Sequence, residues 1–532
     1  MHNFSRKFYI AILVVWQLFS VLLMAVFGWP TWLVWVNMAI VMLYIVFRPL
    51  EEGVYVLVAS LPAMVIVPNG FFETLSAWRP LVAWLFVVWF FKENKFSLKR
   101  IVFLPWDRYL YAFGALILIS SIWSSFRLPA LMQFLFFFNI FLFYFVMVQT
   151  IQTKEQVLAL FRYAAVSLSV FIAAGFGQLA YTFFTPLDTF WVFWATTFTQ
   201  AYYGVNFAVV SLYSNSWFSF TDGRQLRMFG IMPDSQSFAY LCVYAIGIGA
   251  ALTMGASQRL RRFIWSGIRF ASLALILSGT RAVWVGMLAP LLAIIISYAK
   301  TFLRPAVKTF FWPLLIIVVL FAISPLINRG LAFVRAGGVF EENFLNRAQS
   351  IYDLNETSNA GRILIWKESA RYAISHPLGT GAANFLVSAA TPEALANVKY
   401  ELLAEQKNLR YNLPQKYVTA HNLYLHIAVE LGWLGLVLFA LFWLTVCREF
   451  WKYVKVNQKE NTIWLFLVLQ AGLVFLWLAA AAFFDVTWYN DKALIFFFLE
   501  LAASGAILRN IKTEGIIGNE LTGFVGPKSG RG

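Results

Sequence analysis

His421 opens the stretch HNLYLHIAVELGWLG (residues 421–435), where a polar loop gives way to an apolar run that continues to about Cys447. Imidazole titrates near neutral pH, so a histidine at such a boundary can take a proton from a hydroxyl. The plainer role for His421 and Asn422 is to satisfy free amides at a helix start. Ser278-Gly279-Thr280-Arg281 reads as a tight turn between two apolar runs. A guanidinium there, beside backbone donors of a glycine turn, suits a phosphate; it can equally snorkel to lipid headgroups. Arg224 and Arg227 lie in DGRQLRMFG, and Arg362 follows in a long loop. An anionic ligand such as a diphosphate would account for these arginines, and so would Asp222, Asp234 and lipid phosphates.

The elements that must position these groups are membrane helices. Of the 532 residues, 61% are hydrophobic and 12% charged, against about 25% charged in soluble domains. Apolar runs of membrane-spanning length recur from end to end, with little of the alternation a transmembrane barrel requires. The expected fold class is an all-α polytopic membrane protein. The net charge of +16 sits in short loops between apolar runs, so it marks orientation in the bilayer and not a nucleic-acid partner. Cys242 and Cys447 fall in or beside apolar runs and suggest neither a disulfide framework nor a metal site. The first run follows Arg6 and Lys7 without a small-residue cleavage site and reads as a retained helix.

Fourteen stretches could span: 8–28, 30–47, 54–68, 78–91, 109–124, 130–149, 158–181, 236–254, 264–278, 282–298, 311–326, 422–446, 463–484 and 492–508. With the N-terminus inside, the inner loops gather most lysines and arginines, while the short outer loops hold Arg79, Arg127, Arg281 and Lys492. The expected organisation is N-terminal membrane helices over 1–181, an aromatic-rich outer segment over 182–235 and central helices over 236–326. A large outer loop over 327–421, C-terminal helices over 422–508 and a cytoplasmic tail over 509–532 follow. Both termini are then cytoplasmic. The aromatics of 182–235 (among them Phe190, Trp194, Tyr202 and Trp217) suit an interfacial belt or a re-entrant helix, or the wall of a lipid or sugar site. Within the large loop, Ile363, Trp366, Ala370 and Ala373 recur at helical spacing with Lys367, Glu368 and Arg371 between them, ended by His376-Pro377 and Gly379-Thr380-Gly381. An amphipathic helix on the bundle or membrane surface is expected there.

His426 and Glu430 are four apart on one helix face, placed to hydrogen-bond each other or to line a cavity. Glu500 is a further acid within a span. His376 precedes a proline at a helix end and reads as structural. Asn355-Glu356-Thr357 matches a glycosylation sequon by a pattern common by chance. The sequence holds no P-loop, dinucleotide fingerprint, Cys/His cluster or HExxH, and Glu341, Glu342 and Glu356 lack metal-ligand spacing. No metal and no cofactor are expected.

His421-Asn422, nine residues, Gly432, two residues and Gly435 resemble the signature of the O-antigen ligase superfamily of ligases, polymerases and protein O-oligosaccharyltransferases. Gly361-Arg362 with Trp366, then Pro377 and Gly379-Thr380-Gly381, are similar to the loop before that family's histidine. Ser278-Gly279-Thr280-Arg281 and LRMFGIMPDSQSFAYL resemble its arginine-bearing segments, so the resemblance covers about residues 220–445. It implies a metal-independent, GT-C-like glycosyltransferase bundle of about 12–14 helices in the bacterial inner membrane. Such an enzyme moves a glycan from undecaprenyl diphosphate to a glycan, lipid or protein acceptor at the periplasmic or external face, with membrane lipids around it. Carried over, His421 is the base; Arg281, Arg227 and Arg362 bind the diphosphate; Asn422, Gly432 and Gly435 support. The family usually has about twelve spans, and the segment 182–235 is long for it.

The rival reading is a lipid-linked oligosaccharide flippase or other polysaccharide transporter. Many helices and cavity-facing cations suit it, but no convincing internal repeat is visible and one long loop sits on one side only.

Overall fold

The computed structural model describes residues 2–68, 75–92, 101–213, 218–219, 225–298, 304–323, 326, 349–354, 357–385, 419–457, 463–486 and 490–522. Arg224, Asp222, Trp217, Glu341, Glu342 and the sequon residues Asn355 and Glu356 lie outside them.

Apart from one two-residue antiparallel pair, β1 (Phe218–Ser219) with β2 (Gln225–Leu226), the described chain is helical. In hydrocarbon every backbone N–H and C=O must bond within the protein, and a helix achieves that within a single segment. The chain runs α1 (His2–Phe27), α2 (Leu33–Phe47), α3 (Leu50–Ser60), α4 (Trp78–Lys92), α5 (Asp107–Ser120), α6 (Arg127–Thr150) and α7 (Lys154–Phe184). Short helices α8 (Leu187–Trp194), α9 (Gln200–Tyr203) and α10 (Val205–Tyr213) follow, with a wide turn over Ala195–Thr199. Then come α11 (Ser235–Thr253), α12 (Gln258–Leu277), α13 (Arg281–Gly286), α14 (Leu288–Tyr298) and α15 (Arg304–Ala322). The chain ends with α16 (Thr357–Ser375), α17 (Leu423–Asn457), α18 (Ile463–Ala481) and α19 (Asp491–Thr522).

Six of these helices are long and apolar enough to cross a membrane: α1 from Phe8, α6, α7, α11, α17 and α18. The protein is therefore a multi-pass, all-α membrane protein. The other apolar stretches are largely helical too; α2, α3, α4 and α5 are shorter, and 282–298 divides into α13 and α14.

The core gathers on α11 and the first half of α19. Nearly every residue of α11 from Ser235 to Thr253 is buried. Two glycines allow this: a Cβ on Gly247 would lie 2.4 Å from Val474 of α18, and one on Gly249 would lie 2.9 Å from Ile268 of α12. Without them the three helices could not approach so closely.

The aromatic segment after α7 is a folded-back set of short helices, with most of its rings turned inward. Phe190, Trp194 and Tyr202 are buried. The Trp194 indole donates to Gly230 O (2.9 Å), and the Tyr203 hydroxyl donates to Ile231 O (3.1 Å). These rings brace the chain just before α11.

Candidate functional site

Several segments distant in sequence meet at the end of the bundle that carries His421. Asn422 begins α17 by accepting the Leu425 N–H on its side-chain oxygen (3.0 Å). The helix-cap role thus falls to Asn422, leaving the His421 side chain for other work. The Leu423 N–H donates to Ala482 O at the end of α18 (2.8 Å), and the Trp366 indole of α16 donates to Ala420 O (2.9 Å). Held from both sides, His421 has φ +46°, a left-handed conformation that costs a non-glycine residue about 1–2 kcal/mol. Its Nδ1 is buried and has no hydrogen-bond partner among the described residues.

Gly432 interrupts α17 with φ 67° and ψ −168°. The break changes the partners of the helix's backbone groups. The Val429 carbonyl, where an unbroken helix would receive the Trp433 N–H, accepts instead from Thr380 N (2.9 Å); Trp433 N donates to Pro377 O (2.9 Å). Gly381 N donates to Glu430 O (2.9 Å). The Pro377–Gly381 strap is thus laid into the break in α17, and a Cβ on Gly432 would stand 2.2 Å from Pro377 O. The other side of the strap rests on the end of α5, where the Ser124 hydroxyl donates to Ala382 O (2.9 Å) and Ser120 Oγ accepts from Ala382 N (3.1 Å). Gly435 lets the chain beyond the break pass its preceding turn, since a Cβ there would lie 2.4 Å from the Leu431 Cβ. Beneath the strap, His426 Nε2 lies 3.4 Å from Glu430 Oε1. Gln133 of α6 donates to the other Glu430 oxygen (3.2 Å). This is the pairing that a spacing of four predicts.

The arginines come in from two directions. Gly279, at φ +62°, closes α12; the amides of Ser278 and Gly279 donate back to Ala274 O and Ile276 O (both 2.9 Å). Those two donors of the glycine turn are therefore spent on the helix end, and the cationic group the turn offers is Arg281. Its guanidinium donates to the Ser350 hydroxyl (2.8 Å). Asn359 of α16 donates to the Ser350 carbonyl (2.7 Å), tying Arg281 to the helix that carries Arg362 and Trp366. Arg227 precedes Met228, whose N–H donates to Leu277 O at the end of α12 (3.0 Å). Its own carbonyl accepts from Gln178 of α7 (3.3 Å). Arg227 and Arg281 thus flank one helix end.

Two carboxylates, the half-buried Asp234 and the buried Asp485, complete the cluster. Asp234 caps α11 by accepting from Ser237 N (2.7 Å); burial and the neighbouring Asp485 push its carboxyl up to about 6, against its hydrogen bonds. Asp485, in the turn after α18, accepts from the Tyr240 hydroxyl (2.8 Å) and its carboxyl is raised by burial, which the Tyr240 bond and the charge of Arg362 partly offset. Burial, reinforced by the charges of Arg362 and His426, pushes the His421 imidazole down to about 4. His421 is therefore neutral at neutral pH, with a lone pair available for a proton. A small apolar crevice of about 30 Å³ adjoins the cluster, lined in part by Tyr240, Leu423, Tyr424 and Trp443.

Apart from Arg224, every residue singled out from the sequence for this site is described, and the contacts of α16 connect Arg281, Arg362 and His421. Asp485, Tyr240, Ser350 and the strap contacts were not singled out. The readable signal for Asp485 was an acid closing an apolar run on the side of the bundle expected to hold His421.

No curated protein matches the chain. Residues 267–440 match the family model described as O-antigen ligase, a segment that includes Arg281, Arg362, His421, Asn422, Gly432 and Gly435 but leaves out Arg227, Tyr240 and Asp485. Most of the broken α17, the strap in its break and the arginine-bearing turn after α12 thus lie within the segment of this multi-pass helical membrane protein that is similar to the O-antigen ligase family.

Proposed function

We propose that this protein transfers a glycan from a polyprenyl diphosphate, undecaprenyl diphosphate in a bacterial inner membrane, to an acceptor hydroxyl, as a ligase or a polymerase of cell-surface polysaccharide. The observation that carries the reading is the buried, unbonded Nδ1 of a neutral His421 beside Arg362. The acceptor oxygen attacks the anomeric carbon, the bond from that carbon to the diphosphate oxygen breaks, and the hydroxyl proton passes to His421. Arg281, Arg227 and Arg362 stabilise the charge that grows on the departing diphosphate. A base held at about 4 is weak by itself. An arriving diphosphate places negative charge opposite Arg362 and raises the basicity of His421 when donor is bound. The basic inner loops support a cytoplasmic placement of both termini, with the site facing the periplasm or exterior.

The test uses purified protein, a lipid-linked glycan donor, a candidate acceptor and His421→Ala in parallel. A ladder of lengthening glycan that the variant lacks identifies a polymerase. A single transfer onto the added acceptor, again absent in the variant, identifies a ligase. Undiminished transfer by a correctly inserted variant removes His421 as the base.

A further inference from the structure

We infer that Trp366 is the positioning residue for His421, its indole N–H holding the Ala420 carbonyl and so fixing the backbone turn that aims the imidazole into the cluster. The inference rests on the reading of His421 as the base. Trp366 stands one turn after Arg362 on α16, so one helix supplies both a charge that bears on His421 and a hydrogen bond to the residue before it. The bond is 2.9 Å, and Ala420 is fully buried, where an unmet carbonyl is costly. The indole packs against Phe484 at 6.0 Å between ring centroids. Phe484 belongs to the same turn as Ala482, which holds the Leu423 N–H. His421 is thus clamped between α16 and the end of α18.

The backbone angle gives the clamp its consequence. A histidine at φ +46° relaxes toward negative φ unless its surroundings prevent it. Rotation at that residue carries the ring away from its neighbours. Trp366 also contributes bulk between α16 and α17, so the two roles must be separated by removing only the N–H.

The experiment uses the full chain in detergent with 3-benzothienylalanine placed at 366, which keeps the bicyclic ring and replaces N–H by sulfur. Trp366→Phe is the second variant. Carbethoxylation of His421 by diethylpyrocarbonate, followed by mass spectrometry of its peptide, reads exposure of the ring. The thermal midpoint reads the fold. In the transfer assay, kcat should fall about tenfold while donor KM stays within about twofold, the pattern of a misaligned base. The acid limb of kcat/KM should move toward the ordinary imidazole value as the ring leaves Arg362 of α16, His426 of α17 and the nearby Asp485 that faces Arg362. His421 modification should accelerate about fivefold while unfolding remains a single transition, its midpoint lowered only as far as one lost buried hydrogen bond explains.

An unchanged modification rate in the benzothienylalanine protein overturns the inference. Failure of the wider functional reading looks different: His421→Ala then retains transfer, while the modification rate still reports whether the Trp366 N–H holds the ring.

Discussion

Gly432→Ala tests whether the break in α17 and the strap are one construction. The native φ of 67° with ψ of −168° lies in a region open essentially only to glycine, and an alanine held there costs about 1–3 kcal/mol. The new Cβ would also sit 2.2 Å from Pro377 O and 2.5 Å from the Leu378 carbonyl carbon. Relief requires the strap to move, which breaks up to three bonds: Thr380 N to Val429 O, Gly381 N to Glu430 O and Trp433 N to Pro377 O. Each contributes about 0.5–1.5 kcal/mol. At the low end of both ranges the strap loses about 2.5 kcal/mol, which raises its open population roughly 70-fold. Hydrogen–deuterium exchange at the amides of Thr380, Gly381 and Trp433 should lose protection by that factor, with α11 unaffected. Gly379→Ala, whose Cβ would stand 2.4 Å from Gly432 N, should act in the same direction. Gly361→Ala meets nothing within 4 Å, lies in a helix and should be neutral or slightly stabilising, by up to about 1 kcal/mol. Full protection of the three amides in Gly432→Ala would refute the proposed coupling.

Tyr240→Phe removes the hydroxyl from buried Asp485 and should destabilise the protein by about 1–3 kcal/mol in thermal unfolding, as an unmet buried acceptor does. Acidification gives a second test. His421 is held down to about 4, below the ordinary value of about 6.5. The folded state therefore resists protonation, and stability is full above 6.5 and lost as pH falls toward 4, by at most about 3 kcal/mol. Asp234, pushed up to about 6, works oppositely, favouring the folded state at low pH and losing that contribution as pH rises from about 3.8 to 6. The difference in thermal midpoint between wild type and His421→Gln, followed from pH 7.5 to 4.5, isolates the first effect. An equal acid loss in both proteins would remove it.

Much was legible in the sequence because the bilayer reduces the folding problem to one dimension. A long apolar run has to satisfy its backbone internally, so hydropathy by itself located most of the longer helices without reference to their neighbours, whereas α16 was read from its helical spacing and the short helices α8 to α10 were not located. The spacing of four between His426 and Glu430 fixed a pair that needs only helix geometry. His421 and Arg281 stood out because polar groups at the ends of apolar runs are few.

The tertiary structure decided matters that depend on groups far apart in the chain. The apolar pattern of 422–446 reads as one helix, and nothing within it shows that Gly432 breaks the hydrogen bonding and passes a carbonyl to Thr380. The glycine of the turn after α12 suggests available amides, but the structure spends Ser278 N and Gly279 N on the helix end. The face of α16 was only partly readable: Ala373 is buried against α17, while Ile363 is 43% exposed. Asp485, Tyr240 and Trp366 reach the neighbourhood of His421 from three separate helices or their ends. The sequence determined which segments enter the membrane, because that is a property of each segment's own transfer energy. Which side chains meet at the end of the bundle was settled by helix packing, through contacts between residues hundreds of positions apart, where local pattern carries no information.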